Sequence, residues 1–408
     1  MNTSLHNNIR AIYLLGFLHS FMVVVPVFVP LLQGYGLSMS QVLQTQAVFA
    51  LTIALCEVPS GYLADVWGRR RVILLGSALN AIGFFSLLWA DSFVDFLVYE
   101  VILGIGFSLI SGADLALLYD TEIYLHENAL PGGAGASKSL SRLIAVEAAA
   151  SGLAGITASV LLLWSMDAVI VVQAFTGFAP LLIALALVEV PRPTVLQGHR
   201  ENARRVIELL LFGKPVVLWT AFAIAVFGLL AVYVFWVYQK YWEFQNIPVA
   251  SYGYIWAAFA LTVSVAARYA SVLEQYLGTQ RLLCVIGVLP LIGLLGMATT
   301  GGWPGVMFGF AVQLARGMSM TLFYEALNRR VPGDFRATVN SLVSLGVRTV
   351  FIGTGPLLGY ALDSLGVTST LLLLLAVFTP LIALVLIPLV VRIRREQAQS
   401  SSLIAPAA

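Results

Sequence analysis

The chain is poor in charge and nearly free of cysteine and histidine. Only 10% of its 408 residues are Asp, Glu, Lys or Arg, whereas soluble domains carry about 25%, so the protein must be solvated mainly by lipid. Its 2 cysteines and 4 histidines show no metal-ligand spacing, and no nucleophile stands beside a base in a recognisable pattern. We expect no metal, no cofactor, no enzymatic activity and no nucleic-acid partner.

Both cysteines, Cys56 and Cys284, lie within apolar runs in opposite halves of the chain. This placement favours buried, inert thiols over a disulfide.

Long apolar runs dominate the chain. A helix that crosses a bilayer needs roughly 20 apolar residues, and this length identifies twelve segments. The sequence therefore predicts an all-α integral membrane protein with twelve transmembrane helices. The approximate extents of the segments are 11–33, 43–64, 71–90, 93–118, 138–164, 167–190, 215–240, 249–273, 281–300, 303–327, 337–362 and 367–391.

Arginines and lysines fall at alternate loops and at the termini. The opposite loops hold no Lys or Arg, with Lys240 as the lone exception. By the positive-inside rule both termini are predicted to be cytoplasmic, in a plasma membrane of the bacterial inner-membrane type. The positions on the positive side are Arg10, 69–71, Lys138, the cluster at 192–214, Arg281, Arg329, Arg330, Arg336 and 392–395.

The two halves of the chain repeat one another. At an offset of 205, Gly112, Tyr119 and Asp120 correspond to Gly317, Tyr324 and Glu325. At an offset of 210, Gly68 and Arg71 correspond to Gly278 and Arg281, with Asp65 replaced by Gln275. Such repeats are typical of transporters built from two bundles with a binding site near the midplane.

The repeat predicts four regions. Residues 1–190 would form an N-terminal six-helix bundle, and residues 191–214 a basic cytoplasmic linker. Residues 215–396 would form a second, pseudo-symmetric six-helix bundle, and residues 397–408 a disordered tail.

The run Gly61-Tyr-Leu-Ala-Asp65-Val-Trp-Gly68-Arg69-Arg70-Arg71 resembles the signature between helices 2 and 3 of the major facilitator superfamily, the MFS. Chain length, duplicated halves and the basic central loop resemble that family too. The run from Ser111 to Asp120 is similar to the end of helix 4 in bacterial members regarded as drug exporters.

The resemblance implies an inner gate. Asp120 would meet the arginines that follow helix 2, and Asp65 would face the start of helix 11. The alternative is that the arginines serve only as topological anchors. The predicted gating residues are Gly61, Asp65, Gly68, Arg69, Arg71 and Asp120, with a degraded second copy at Arg281 and Glu325.

Ionisable residues inside predicted membrane helices are costly and suggest function. We predict a central constellation of Glu147, Arg316 and Arg348, with His19 and Glu100 as contributors. The alternative is permanent pairing of opposite charges that holds helices together.

One further acid, Asp114, lies 14 residues after Glu100 in the fourth segment. A continuous helix would place both acids on one face, along one substrate or proton pathway.

Aromatic residues cluster in the seventh segment. Tyr233 and Trp236 are three apart and are candidates for substrate contact, whereas Tyr241 and Trp242 fit an interfacial belt.

Because no ATPase module is recognisable, transport would draw on an ion or substrate gradient. The leading hypothesis is a monomeric secondary active transporter that exports a small organic molecule by alternating access, as a proton-coupled antiporter. One alternative is a carrier, for uptake or exchange, of an anionic or zwitterionic metabolite held by Arg316 and Arg348. A non-transporting membrane sensor is a further alternative.

Overall fold

The structure, a computed structural model, describes residues 2–128, 135–190, 215–332 and 335–404. Within these ranges the chain forms helices joined by short turns and contains no strand. The α-helices are α1 Asn2–Ser20, α2 Phe28–Gly34, α3 Met39–Trp67, α4 Arg69–Ser86, α5 Phe93–Ile110, α6 Ala113–Glu127, α7 Ala136–Leu161, α8 Met166–Thr176, α9 Ala179–Ala186, α10 Pro215–Phe244, α11 Tyr252–Leu277, α12 Thr279–Thr299, α13 Gly302–Arg330 and α14 Arg336–Ile404.

These helices make twelve membrane crossings. Ten stretches are long and apolar enough to span a bilayer by themselves. One of them, Thr338–Arg395, contains two crossings, because Gly366 interrupts α14 with a φ of 78°. The remaining crossing is α4, which begins with three arginines. The predicted all-α, twelve-helix membrane fold is confirmed.

Large apolar side chains cover the outside of the helices. Val58 is 80% exposed, Leu163 70% and Tyr276 83%. Exposed apolar surface on helices whose backbone groups are satisfied internally is what a bilayer requires. The protein is therefore an integral membrane protein.

Contacts divide the chain into two compact units. Unit 1 comprises Met1–Val195, Ile247–Leu261 and Ile352–Asp363, and unit 2 comprises Leu196–Asn246, Thr262–Phe351 and Ser364–Ala408.

The predicted linker and the predicted C-terminal tail lie wholly or partly outside the described residues. The predicted linker at 191–214 lies outside the described residues. Helix α14 continues to Ile404, so residues 397–404 are helical where a disordered tail was expected.

Unit 1 is held together by close helix contacts. A Cβ atom on Gly76 of α4 would lie 2.8 Å from the Gly106 carbonyl oxygen of α5. Such small residues let two membrane helices approach closely.

An apolar cluster lies at one end of unit 1 and draws its buried members from α1, α3, α4, α5, α6, α7, α9 and the residues just after α9. They include Ile12, Ala64, Val72, Leu117 and Leu187.

The opposite end of unit 1 contains the pieces 247–261 and 352–363. The backbone N–H of Tyr254 donates to the Ser159 hydroxyl of α7 at 3.0 Å. The Asp363 carboxylate accepts hydrogen bonds from the backbone N–H groups of Met39 and Ser40, at 2.9 and 2.8 Å. Asp363 therefore caps the start of α3.

Unit 2 packs its helices in the same way. A Cβ atom on Gly293 of α12 would lie 3.0 Å from the Phe308 carbonyl oxygen of α13. The Tyr238 hydroxyl of α10 donates to the Gly309 carbonyl of α13 at 3.0 Å.

Candidate gate and intramembrane polar sites

Gly68 forms the turn between α3 and α4. Its φ of 97° and ψ of 144° lie in a region that L side chains rarely adopt. A Cβ atom there would also lie 2.9 Å from the Glu189 carboxylate. Gly278 makes the corresponding turn between α11 and α12 with φ 78° and ψ 149°. The repeat seen in the sequence therefore recurs in backbone conformation.

Arg69 connects the start of α4 to α6. Its guanidinium forms an ion pair with Asp120 and donates to the Ala116 carbonyl oxygen. Both charged side chains are mostly buried, at 16% and 21% exposure. The structure thus places Asp120 against an arginine of the turn, the contact that the MFS resemblance implied. A charge-assisted pair of this kind is stronger than a neutral hydrogen bond.

Glu189 caps the same helix and was missed by the sequence analysis. Its carboxylate accepts from the backbone N–H of Arg69 at 2.9 Å and of Arg70 at 2.8 Å. These N–H groups have no partner within their own helix, and a carboxylate at a helix N-terminus is favourable. Arg70 in turn donates to the Leu185 carbonyl at 3.1 Å. The only signal was an acid at the very end of the sixth apolar segment.

The other predicted gating residues are more exposed. Gly61, Asp65 and Arg71 are exposed, and Asp65 interacts with at least one other residue. A Cβ atom on Gly61 would meet nothing within 4 Å, so no close contact requires a glycine there.

The second copy of the gate differs from the first. Arg281 is exposed at the start of α12, and Glu325 pairs with Arg329 on its own helix. In the described part of the chain, the second copy therefore has no ion pair between helices that matches Arg69–Asp120.

Glu100 is an intramembrane acid of unit 1 with a polar partner. It is 3% exposed and accepts a hydrogen bond from Gln46 of α3.

His19 of α1 lies against two neighbouring helices. Its Nδ1 lies 3.5 Å from the Asn80 amide nitrogen of α4, and its ring centroid lies 4.4 Å from that of Phe107.

Asp114 does not share a continuous helix with Glu100. Helix α5 ends at Ile110 and α6 begins at Ala113, after Gly112 with a φ of 91°. The expectation of a common face on one helix was therefore wrong. Asp114 lies instead in the first turn of α6, where a negative charge is favoured.

Asp114 and Glu147 are brought together. The Glu147 carboxylate of α7 is close enough to that of Asp114 for their charges to interact. It also lies 3.4 Å from where a Cβ atom on Gly16 of α1 would be, one turn before His19. Among the described residues neither acid forms an ion pair.

Arg316 lies in unit 2, on α13. It interacts electrostatically with the Tyr238 hydroxyl of α10. It forms no ion pair within the described ranges, so the permanent-pairing alternative finds no support at this residue. Arg348 interacts with at least one other residue. Because Glu147 belongs to unit 1 and both arginines to unit 2, their proposed constellation remains a prediction.

Tyr233 and Trp236 of α10 are buried. Tyr233 packs on Phe351 and Phe378 at centroid distances of 6.2 and 5.9 Å, and Trp236 is 9% exposed.

The assignment of Tyr241 and Trp242 to an interfacial belt was wrong, because both are 0% exposed. The Tyr241 hydroxyl donates to the Thr300 carbonyl at 3.1 Å, and Trp242 stacks on Tyr238.

Comparison with known proteins gives one family. The family model described as Major Facilitator Superfamily matches residues 12–347. No curated protein matches the chain.

Solved structures share the fold over almost the whole chain. A nucleoside transporter, NupG, is 13% identical with a TM-score of 0.71, and covers 96% of this chain and 99% of its own. A D-xylose–proton symporter is 14% identical with a TM-score of 0.71, and the coverage is 94% and 97%. A bacterial homologue of the human lysosomal transporter Spinster is 16% identical with a TM-score of 0.67, covering 96% and 94%. At these identities the likeness concerns the fold alone.

Proposed function

Because this chain belongs to the major facilitator superfamily, we propose that it is a proton-coupled exporter of a small organic molecule. The family makes it a membrane transporter of small molecules rather than an enzyme. Coupling to protons, export, a bacterial inner membrane, cytoplasmic termini and a monomeric state are the parts that we propose.

The pairing of Asp114 with Glu147 carries the proposal of proton coupling. Two carboxylates interact with each other inside the membrane-spanning part of unit 1, and the described chain places no cation on either. Like charges in a medium of low dielectric repel each other, so such a pair is suited to take up and release a proton. His19 lies one turn beyond Gly16, which Glu147 approaches.

The turn at Gly68 supports alternating access. The Arg69–Asp120 ion pair and the Glu189 cap connect the start of α4 to the chain at both α6 and residues 185–190. Charge-assisted contacts at a helix end can form and break as a transporter changes state. We assign the gating role to this cluster, with Asp65 and Arg71 as further members.

Two sequence features support the direction and orientation. Ser111 to Asp120 resembles the helix-4 ending of bacterial drug exporters, and the positive loops lie on one side.

A flux experiment tests coupling. Proteoliposomes containing the full chain and an internal pH dye are exposed to ethidium, D-xylose, uridine and L-lactate under an imposed pH gradient. We expect one of these probes to move protons, and Glu147→Gln to lower that coupled flux at least about tenfold. Glu127→Gln, at an exposed acid in the last turn of α6, is the matched control and should behave as wild type.

Flux that is indifferent to the pH gradient, or unchanged in Glu147→Gln, would contradict proton coupling. The direction of transport is tested separately, by comparing the flux of the same probe in everted and in right-side-out vesicles.

A further inference from the structure

Arg316 has no counter-charge among the described residues of its own unit. Unit 2 has three acids whose side chains are described, and each has another partner. Glu243 binds Lys240 at 2.9 Å, Glu274 accepts from Thr279 at 2.8 Å, and Glu325 pairs with Arg329. A charge within a membrane helix is costly unless something compensates it. No described acid of unit 2 compensates Arg316, and a transported anion is one group that would.

Gln313 lies on the same face of α13 as Arg316 and has a hydrogen-bond acceptor without a partner in the described part of the chain. It lies three residues before Arg316, so the two side chains are neighbours on the helix surface. Gln313 is 6% exposed, and its Oε1 has no hydrogen-bond partner in the described part of the chain. Buried polar atoms are nearly always hydrogen-bonded, so this oxygen is available to a donor that the protein does not itself supply.

Tyr238 of α10 lies next to both of these side chains. Its side chain is 2% exposed, stacks on Trp242 at a centroid distance of 5.9 Å, and donates its hydroxyl hydrogen to Gly309. The same hydroxyl interacts with the amide of Gln313 and with the charge of Arg316. All three groups belong to unit 2. Gly309 and Trp242 hold the tyrosine, whereas the arginine has no ion pair and the amide oxygen no hydrogen bond among the described residues.

We propose that Arg316, Gln313 and Tyr238 form a binding subsite for a small monocarboxylate that carries a hydroxyl or amino group next to the carboxylate. A guanidinium presents a planar fork of donors that matches a carboxylate, and its single charge balances one anionic group. Gln313 Oε1 accepts only, so it selects a ligand with an O–H or N–H donor. The inference rests on the proposed transport function and names the class of its cargo.

Equilibrium binding without a pH gradient tests the subsite. The full chain in nanodiscs is titrated with L-lactate, L-alanine, propionate and L-lactamide. We expect L-lactate or L-alanine to bind, and propionate, which lacks the donor, and L-lactamide, which lacks the charge, to bind about tenfold more weakly. Arg316→Gln should abolish binding, and Arg316→Lys should weaken it while the fold is retained. Arg268→Gln, at an exposed arginine of α11, is the matched control.

A second variant isolates the amide. In Gln313→Leu, L-lactate and propionate should bind equally, because the ligand hydroxyl has lost its acceptor. Retention of a tenfold preference in that variant would overturn the role of Gln313.

Two further outcomes would overturn the subsite. One is unchanged binding in Arg316→Gln. The other is recovery of the thermal stability of Arg316→Gln by Glu147→Gln, which would show that the arginine is one half of an ion pair.

The binding assay needs no gradient, so the two proposals fail separately. If L-lactate or L-alanine binds but the flux is indifferent to the pH gradient, proton coupling is contradicted and the subsite is supported. If another probe shows proton-coupled flux but neither carboxylate binds, the subsite is contradicted and proton coupling is supported.

Discussion

A single carboxylate, Glu189, holds the first turn of α4 through two backbone N–H groups. The turn carries Arg69, whose side chain is directed toward Asp120. The position of the ion pair therefore depends on a residue that is distant in the chain and has no part in the Gly61–Arg71 motif.

Replacement of this carboxylate should destabilise the protein. In Glu189→Gln the negative charge at the helix N-terminus is lost while the side chain keeps its size. We expect a loss of about 1 kcal/mol of stability, which is typical for a helix cap. Thermal unfolding in detergent measures the change, with Glu127→Gln as the control. An unfolding temperature equal to that of wild type would show that the cap contributes nothing.

At the scale of whole elements, apolar length predicted the crossings but not the breaks within them. Gly112 interrupts the fourth crossing with a positive φ, and hydropathy has no signal for a single residue in that conformation. The reasoning that placed Glu100 and Asp114 on one face assumed a continuous helix, and it failed for that reason.

The aromatic residues of α10 were harder still to predict. A helix that is apolar all round can face lipid or protein on any side, so no periodic pattern marked Tyr241 and Trp242 as buried.

The caps were beyond prediction from one sequence. Glu189 lies 120 residues from Arg69, and Asp363 lies 324 residues from Met39. The ion pair of Asp120 was anticipated only because a family resemblance carried it.

The cap on α3 offers a second element-level prediction. Asp363 binds the first N–H groups of α3, and a Cβ atom on Gly359 would lie 2.6 Å from the Ser40 Cα. Alternating access requires contacts at one end of a transporter to be released in part of its cycle. Asp363→Asn removes the charge at this end, at a cost of about 1 kcal/mol, and should raise the population of the released form about fivefold.

Labelling of Ser40→Cys by maleimide, with the two native cysteines replaced by serine, reports this population. The labelling rate should rise by the same factor when Asp363→Asn is added. Glu243→Gln, at an acid 47% exposed, is the control, and an equal rate with and without Asp363→Asn would refute the idea.

At the scale of the whole molecule, the fold follows from the bilayer more than from any motif. Lipid offers no hydrogen bonds, so each crossing must satisfy its backbone internally as a helix. This constraint acts on every crossing whatever its exact sequence, so a chain only 13% identical to NupG can keep the same fold. In our proposal the cargo depends on a few polar side chains such as Arg316 and Gln313, which the same constraint leaves free to vary.

The distribution of arginines predicts the orientation of the protein in the membrane. Asp91 and Glu127 are exposed acids near the two ends of the fourth crossing, Phe93–Glu127. By the positive-inside rule the end at Glu127 and both termini are predicted to face the cytoplasm. In a background without Cys56 and Cys284, a membrane-impermeant maleimide should label Asp91→Cys in intact cells and Glu127→Cys only after permeabilisation. Because the two variants mark opposite ends of one crossing, each is the control of the other. The reverse pattern would invert the topology and place the Arg69–Asp120 pair on the outer face.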